Sequence, residues 1–247
     1  MRLCIIGNSH LAALQDGWGA VRDDFPDIVP TFFGAPVRYM HALARRGPKL
    51  VARHPKLGER YAMTSGGLTE ITGDYDAYLI YGLALAPLTL KDLCLRYRTM
   101  GYAADARVLL SRRCHHEAAC AVLEESWSCK VLSMLVEVTR APISLLAAPM
   151  RSDEDPLHLM PLIESGDDRA LNDSFLAGCR DVALRHRARF LVQPTDTLGA
   201  SPLTTQHHYS LAAAPGGAKR ENDYIHMNGG YGTKLLRCVL PELLIPG

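Results

Sequence analysis

Ser9 and the run Asp223-Tyr224-Ile225-His226 are the residues whose types and spacing suit acyl-transfer chemistry. The apolar stretch Cys4-Ile5-Ile6 leads through Gly7 and Asn8 into Ser9 and His10, which puts Ser9 on a strand-to-helix turn. A hydroxyl there is exposed, and its backbone N–H lies beside a helix N-terminus, where developing negative charge is favoured. Gly7 permits the tight turn. The serine still needs a base. Asp223 and His226, three apart on one helical turn, share a face on which the carboxylate can orient the ring toward a hydroxyl. Ser9 would then be the nucleophile, His226 the base and Asp223 its orienting acid. The bland alternative is that Ser9 caps the helix that follows it and Asp223 caps the helix containing Leu235 and Leu236.

These residues stand at opposite ends of a 247-residue chain, so a fold must bring them together. Apolar β-branched runs alternate with helical patterns, which predicts one α/β domain over residues 1–247, three-layered, with a mostly parallel five-stranded sheet covered on both faces. The predicted strands are Leu3 to Ile6, Val29 to Phe33, Tyr78 to Tyr81, Ile143 to Ala147 and Phe190 to Gln193. Ligands of such sheets sit beyond the carboxyl ends of the strands, which places Ser9 and Gly34 on one rim. Helices are predicted from Ser9 to about Val21, weakened by Gly17 and Gly19, and from Asn172 to Arg187. Two more should be capped by Ser111 and Ser126 and run through Glu125 and Arg140. The Pro- and Gly-bearing segments 47–73 and 195–222 read as loop or lid insertions, the second positioned to shape an acyl pocket. His207 and His208 within it read as exposed loop histidines.

Gly7-Asn8-Ser9-His10 with Asp223-x-x-His226 resembles the SGNH (GDSL-like) hydrolase superfamily, whose signatures are a glycine-acid-serine turn near the N-terminus and D-x-x-H near the C-terminus. The turn is also similar to the G-D-S-H turn of SGNH domains attached to membrane acyltransferases that modify bacterial surface sugars. Asn8 replaces the acid, which is not the triad acid. The resemblance implies an SGNH/flavodoxin-like fold and a serine esterase or acyltransferase that works through an acyl-serine on O-acyl groups of a carbohydrate or small ester. It also implies an oxyanion hole built from the Ser9 N–H, a glycine after the second strand, here Gly34, and a G-x-N-D block after the next central strand. In that block Tyr81-Gly82-Leu83-Ala84 keeps Gly82 but puts Ala84 where the asparagine belongs. Losing one oxyanion donor costs about a hundredfold or more in turnover. Asn8, Asn228 and the Gly82 backbone are the candidate replacements. Gly34 reads equally as a turn glycine ahead of Pro36. His10 suits either the substrate cleft or a helix start packed on the loop after Gly82, and Asn228 suits a support for the D-x-x-H turn.

With 48% hydrophobic residues and no low-complexity divide, the chain can bury one substantial core. A net charge of +1 argues against broad nucleic-acid binding, yet Arg38 to Arg60 holds seven Lys or Arg against the single acid Glu59. Such a stretch is either a solvated loop or an attractor for an anionic substrate, such as an acidic glycan or phosphate-bearing carrier. Met1-Arg2 runs directly into the first strand and no apolar run reaches the ~18 residues of a membrane span, so a soluble cytoplasmic protein is expected. Seven cysteines, an odd number, read as reduced thiols. Cys114-His115-His116 with Cys120 looks helical and lacks C-x-x-C spacing, so no metal or cofactor is expected. Gly7-Asn8-Ser9 lacks the further glycines and the lysine of nucleotide-binding loops. The sequence sets no oligomeric state. A rival class is a catalytically weak or inactive module of the same fold that binds a glycan or protein through Arg38 to Arg60. Ala84 favours it, and the retention of all three triad residue types opposes it.

Overall fold

The apolar runs become strands because they are buried on both faces, where β-branched and aromatic side chains pack well. The computed structural model describes residues 1–102, 105, 107–156, 160–213 and 222–244. In chain order its main elements are β1 (Arg2–Gly7), α1 (Leu11–Val21), β2 (Val29–Gly34), β3 (Leu43–Arg46), β4 (Lys49–Ala52), α2 (Pro55–Ser65), β5 (Glu70–Thr72) and β6 (Ala77–Tyr81). There follow α3 (Arg112–Glu124), α4 (Trp127–Leu135), β7 (Ile143–Leu146), α5 (Asp168–Arg185), β8 (Arg189–Leu191) and α6 (Gly229–Leu244).

The central sheet is parallel throughout, in the order β8-β7-β6-β1-β2. It is the middle layer of a three-layer α/β/α fold. Leu3 and Ile5 share one core with Leu14 of α1 and Leu235 of α6, while Cys4 and Ile6 share another with Leu57 and Tyr61 of α2 and Leu132 of α4. A third core joins α3 to α5 through Cys120, Leu123, Phe175 and Cys179. Gly7 stands opposite both Gly34 and Tyr81, so the carboxyl ends of β1, β2 and β6 are level and their following loops open on one rim.

α1 and α6 touch backbone to backbone. A Cβ on Gly232 would lie 1.7 Å from Ala13 O, and one on Gly17 would lie 2.3 Å from Thr233 N. Gly17 is therefore a packing requirement and not merely a weak point in α1. This contact ties the helix after Ser9 to the helix after His226.

Segment 47–73 departs from its predicted loop character. Gly47 and Pro48 form the tight connection between antiparallel β3 and β4, Gly47 with φ +60°. His54 then N-caps α2, its Nδ1 accepting from Lys56 N–H at 3.2 Å, with Pro55 in the first turn. Gly66 ends that helix in the left-handed conformation. The described part of segment 195–222 contains only short 3-10 turns and the two-residue strand Thr204–Thr205, and its Pro215-Gly216-Gly217 stretch lies outside the described residues. Ser111 and Ser126 cap α3 and α4 as predicted, accepting from the Cys114 and Cys129 N–H groups at 3.1 and 3.3 Å. α4 stops at Leu135, short of Arg140.

Candidate active site

Ser9 leaves β1 two residues after Gly7, where a Cβ would strike Tyr81 O at 2.7 Å and Leu11 Cγ at 2.8 Å. Close packing beneath the turn, not an unusual φ, is what demands glycine here. The Ser9 hydroxyl does not cap α1. It donates to His226 Nε2 at 2.8 Å, and His226 Nδ1–H points at both Asp223 oxygens, at 2.9 and 3.0 Å. The carboxylate thereby fixes the tautomer that leaves Nε2 free to accept a proton. The His226 backbone N–H also donates to Asp223 Oδ1 at 3.0 Å, which makes the D-x-x-H turn a closed unit.

The described part of segment 195–222 holds that unit in place. Leu211 N–H donates to His226 O at 2.8 Å, Ala212 N–H to Asp223 O at 3.2 Å, and Asn228 N–H to Tyr209 O at 2.8 Å. Asn228 Oδ1 accepts from Tyr231 N–H at 3.1 Å, and its Nδ2 donates to His208 O at 2.8 Å and Ser210 O at 3.3 Å. Asn228 thus caps α6 and braces the turn, with both ends of its carboxamide engaged. His207 is likewise held, its Nδ1 3.0 Å from Ser152 Oγ.

Of the three predicted backbone oxyanion donors, two are already bonded. Gly34 N–H donates to Thr64 Oγ1 at 2.9 Å, and Gly82 N–H donates to Leu146 O at 3.0 Å. The Ser9 N–H has no partner among the described residues. Gly82 serves a different purpose. It has φ +74°, and a Cβ on it would lie 2.8 Å from Asn8 Oδ1 and 3.4 Å from His10 Cδ2. Its missing side chain makes room for Asn8 and His10.

Leu83 and Ala84 follow Gly82 into the left-handed region, with φ +47° and +64°. Each such non-glycine residue costs about 1–2 kcal/mol. The surroundings enforce the conformation. Ser128 Oγ–H donates to Gly82 O at 2.7 Å, Thr89 Oγ1–H to Ala84 O at 3.0 Å, and Ala148 N–H to Leu85 O at 2.8 Å.

His10 is buried against Gly82 and the Tyr81 ring, and its own ring lies 5.3 Å from that of His226. Burial is the main cause that lowers its pKa to about 4, with the neighbouring His226 adding to the shift. It is therefore neutral at pH 7, and its Nδ1 has no hydrogen-bond partner among the described residues. It packs beneath the base and does not line the groove.

Beside Ser9 runs a groove of about 220 Å³ lined by apolar Leu11, Ala12, Ala35, Pro36 and Met63, with Asn8, Gln15, Thr64 and Arg60 as its polar members. α2 supplies Arg60, the end of the basic stretch, together with Met63 and Thr64, two residues that the loop reading of 47–73 overlooked. The sequence signals for α2 were Pro55 at its start and Leu57 and Tyr61, four apart and buried. Of the other cations in the basic stretch, Arg45 pairs with Glu137 at 2.7 Å and Lys49 pairs with Glu70. Arg46, Arg53 and His54 line a separate cleft of about 630 Å³.

No family model and no curated protein matches the chain. Among solved structures, an extracellular lipase from Streptomyces rimosus aligns over 98% of this chain and 99% of its own, with TM-score 0.51 and 11% identity. The periplasmic domain of a lipopolysaccharide acetyltransferase from Salmonella ser. Paratyphi A aligns over 99% and 84%, with TM-score 0.46 and 8% identity. A carbohydrate acetylesterase family member from Sinorhizobium meliloti aligns over 99% of both chains, with TM-score 0.45 and 13% identity. Across nearly its whole length, the chain is similar in fold to the Streptomyces lipase.

Proposed function

We propose that this chain is an SGNH-like serine esterase or O-acyltransferase that acts through an acyl-serine on short O-acyl groups. The observation that carries this reading is the continuous hydrogen-bonded series Ser9, His226, Asp223, at 2.8 and 2.9 Å. In the first half-reaction Ser9 Oγ bonds to the ester carbonyl carbon as its proton passes to His226 Nε2. Collapse of the tetrahedral intermediate breaks the ester C–O bond, and His226 returns the proton to the departing alkoxide. Water or a sugar hydroxyl then resolves the acyl-serine by the same steps in reverse.

The oxyanion in this scheme is met by the Ser9 N–H and by Asn8 Nδ2. Asn8 lines the groove beside Ser9, and its carboxamide lies against the Gly82 turn, from which the superfamily's asparagine would project. The groove's modest volume suits a short acyl chain, and Arg60 at its side suits an anionic substrate. A carbohydrate ester is favoured by the likeness of Gly7-Asn8-Ser9-His10 to the G-D-S-H turn. Kinetics on p-nitrophenyl acetate, butyrate and octanoate test the reading, with added sugar acceptors distinguishing transfer from hydrolysis by product mass. Turnover should fall with chain length, and Ser9→Ala and His226→Ala should each lower kcat by about a thousandfold or more. Turnover that survives Ser9→Ala would end the proposal.

A further inference from the structure

α3 and α5 pack closely because Gly178 has no side chain; a Cβ there would lie 2.7 Å from Leu123 Cδ1. On the flank of this pair His116 and Cys120, four residues apart on α3, share a face. Asp181 of α5 meets them there. His116 Nε2 is 2.7 Å from Asp181 Oδ2 and 3.7 Å from Cys120 Sγ, and all three ligand atoms lie within 4.8 Å of one another. Cys120 is buried, whereas His116 and Asp181 reach solvent.

An imidazole nitrogen, a sulfur and a carboxylate oxygen together form a donor set that suits Zn²⁺ and similar divalent transition ions. Tetrahedral zinc bonded at ~2.0–2.2 Å to N and O and ~2.3 Å to S has N···O edges of about 3.4 Å and N···S edges of about 3.6 Å. The N···S edge already has that length. The N···O edge must open by about 0.7 Å, which two solvent-reaching side chains can supply by rotamer adjustment. Two further carboxylates, Glu117 and Glu124, stand nearby in ion pairs with Arg185 at 3.0 and 3.2 Å.

We propose that His116, Cys120 and Asp181 bind one zinc-like divalent ion, with water as fourth ligand, and so clamp α3 to α5. As the metal–sulfur bond forms, the Cys120 thiol proton passes to solvent; His116 donates the Nε2 lone pair with its ring proton on Nδ1. No electrons are transferred. The cysteine-histidine spacing on α3 looked insufficient in the sequence because the third ligand stands 65 residues from His116.

Titration of the full chain with Co²⁺ and Zn²⁺ tests the site, in a background with exposed Cys114 and Cys238 changed to serine. Co²⁺ should give a thiolate charge-transfer band and the visible bands of a tetrahedral ion at one equivalent, both bleached by Zn²⁺. Cys120→Ser should abolish the charge-transfer band. Asp181→Asn, at an exposed position where folding is safe, should weaken Zn²⁺ binding by about tenfold or more. Absence of the thiolate band in the parent, or Zn²⁺ affinity unchanged in both variants, overturns the proposal and leaves a plain His116–Asp181 hydrogen bond.

Discussion

Asn8 and Ala84 are both departures from the pattern that the two motifs resemble, and the proposed function has one reason for both. With alanine at 84, no side chain from the Gly82 turn can donate to an oxyanion; with asparagine at 8, a carboxamide lies against that same turn. Asn8→Ala should therefore lower kcat by about 10²–10³ with little change in KM. Asn8→Asp should be as damaging alone, and Ala84→Asn should rescue it, since asparagine tolerates the φ of +64° at position 84. A kinetic double-mutant cycle reads the exchange; additive effects would show that the two sites do not share the role. His10 makes a second prediction at this scale. Its folded pKa of about 4 lies below the unfolded 6.5, so between these values the unfolded chain binds the extra proton. Stability due to neutral His10 is thus complete above pH 6.5 and is lost as pH falls toward 4, by about 3 kcal/mol in all. Urea unfolding across that range should show a shallower pH dependence in His10→Gln than in the wild type. Parallel curves would place the titration elsewhere.

At the scale of elements, the contact between α1 and α6 assembles the site, and it depends on a glycine. Gly232→Ala should destabilise the protein by about 3 kcal/mol, because the new methyl meets Ala13 O and the helices must separate. Gly19→Ala, on the exposed side of α1 with nothing within 4 Å, should instead stabilise by ~0.5–1 kcal/mol. Urea midpoints for the pair check both signs. The five central strands were legible in the sequence because each is a short apolar run ending at a turn, and burial on both faces is written locally. α2 was not. Pro55, Gly58 and its charges resemble loop punctuation, and only the buried pair Leu57 and Tyr61 marks the helix. The hydrogen-bonded series Ser9, His226, Asp223 was legible as two local motifs at the chain ends. The engaged states of the Gly34 and Gly82 amides were not, because Thr64 and Leu146 reach them from distant parts of the chain.

In the whole molecule, the sheet order sets β1 between β2 and β6, so the chain leaves β1 at the crevice where α/β sheets take ligands. Ser9 and His226 are 217 residues apart, yet they meet because α1 and α6 lie side by side on one face of the sheet. From the other face α2 contributes a wall of the groove. Among the described residues, no helix is long and apolar enough to cross a membrane. The central claim, that this assembly activates Ser9, is tested most directly by intact-mass detection of a fluorophosphonate adduct on wild type, Ser9→Ala and His226→Ala. A single adduct on the wild type and none on either variant is the predicted result. No adduct on a folded, monodisperse wild type, or an adduct that persists in Ser9→Ala, would contradict it.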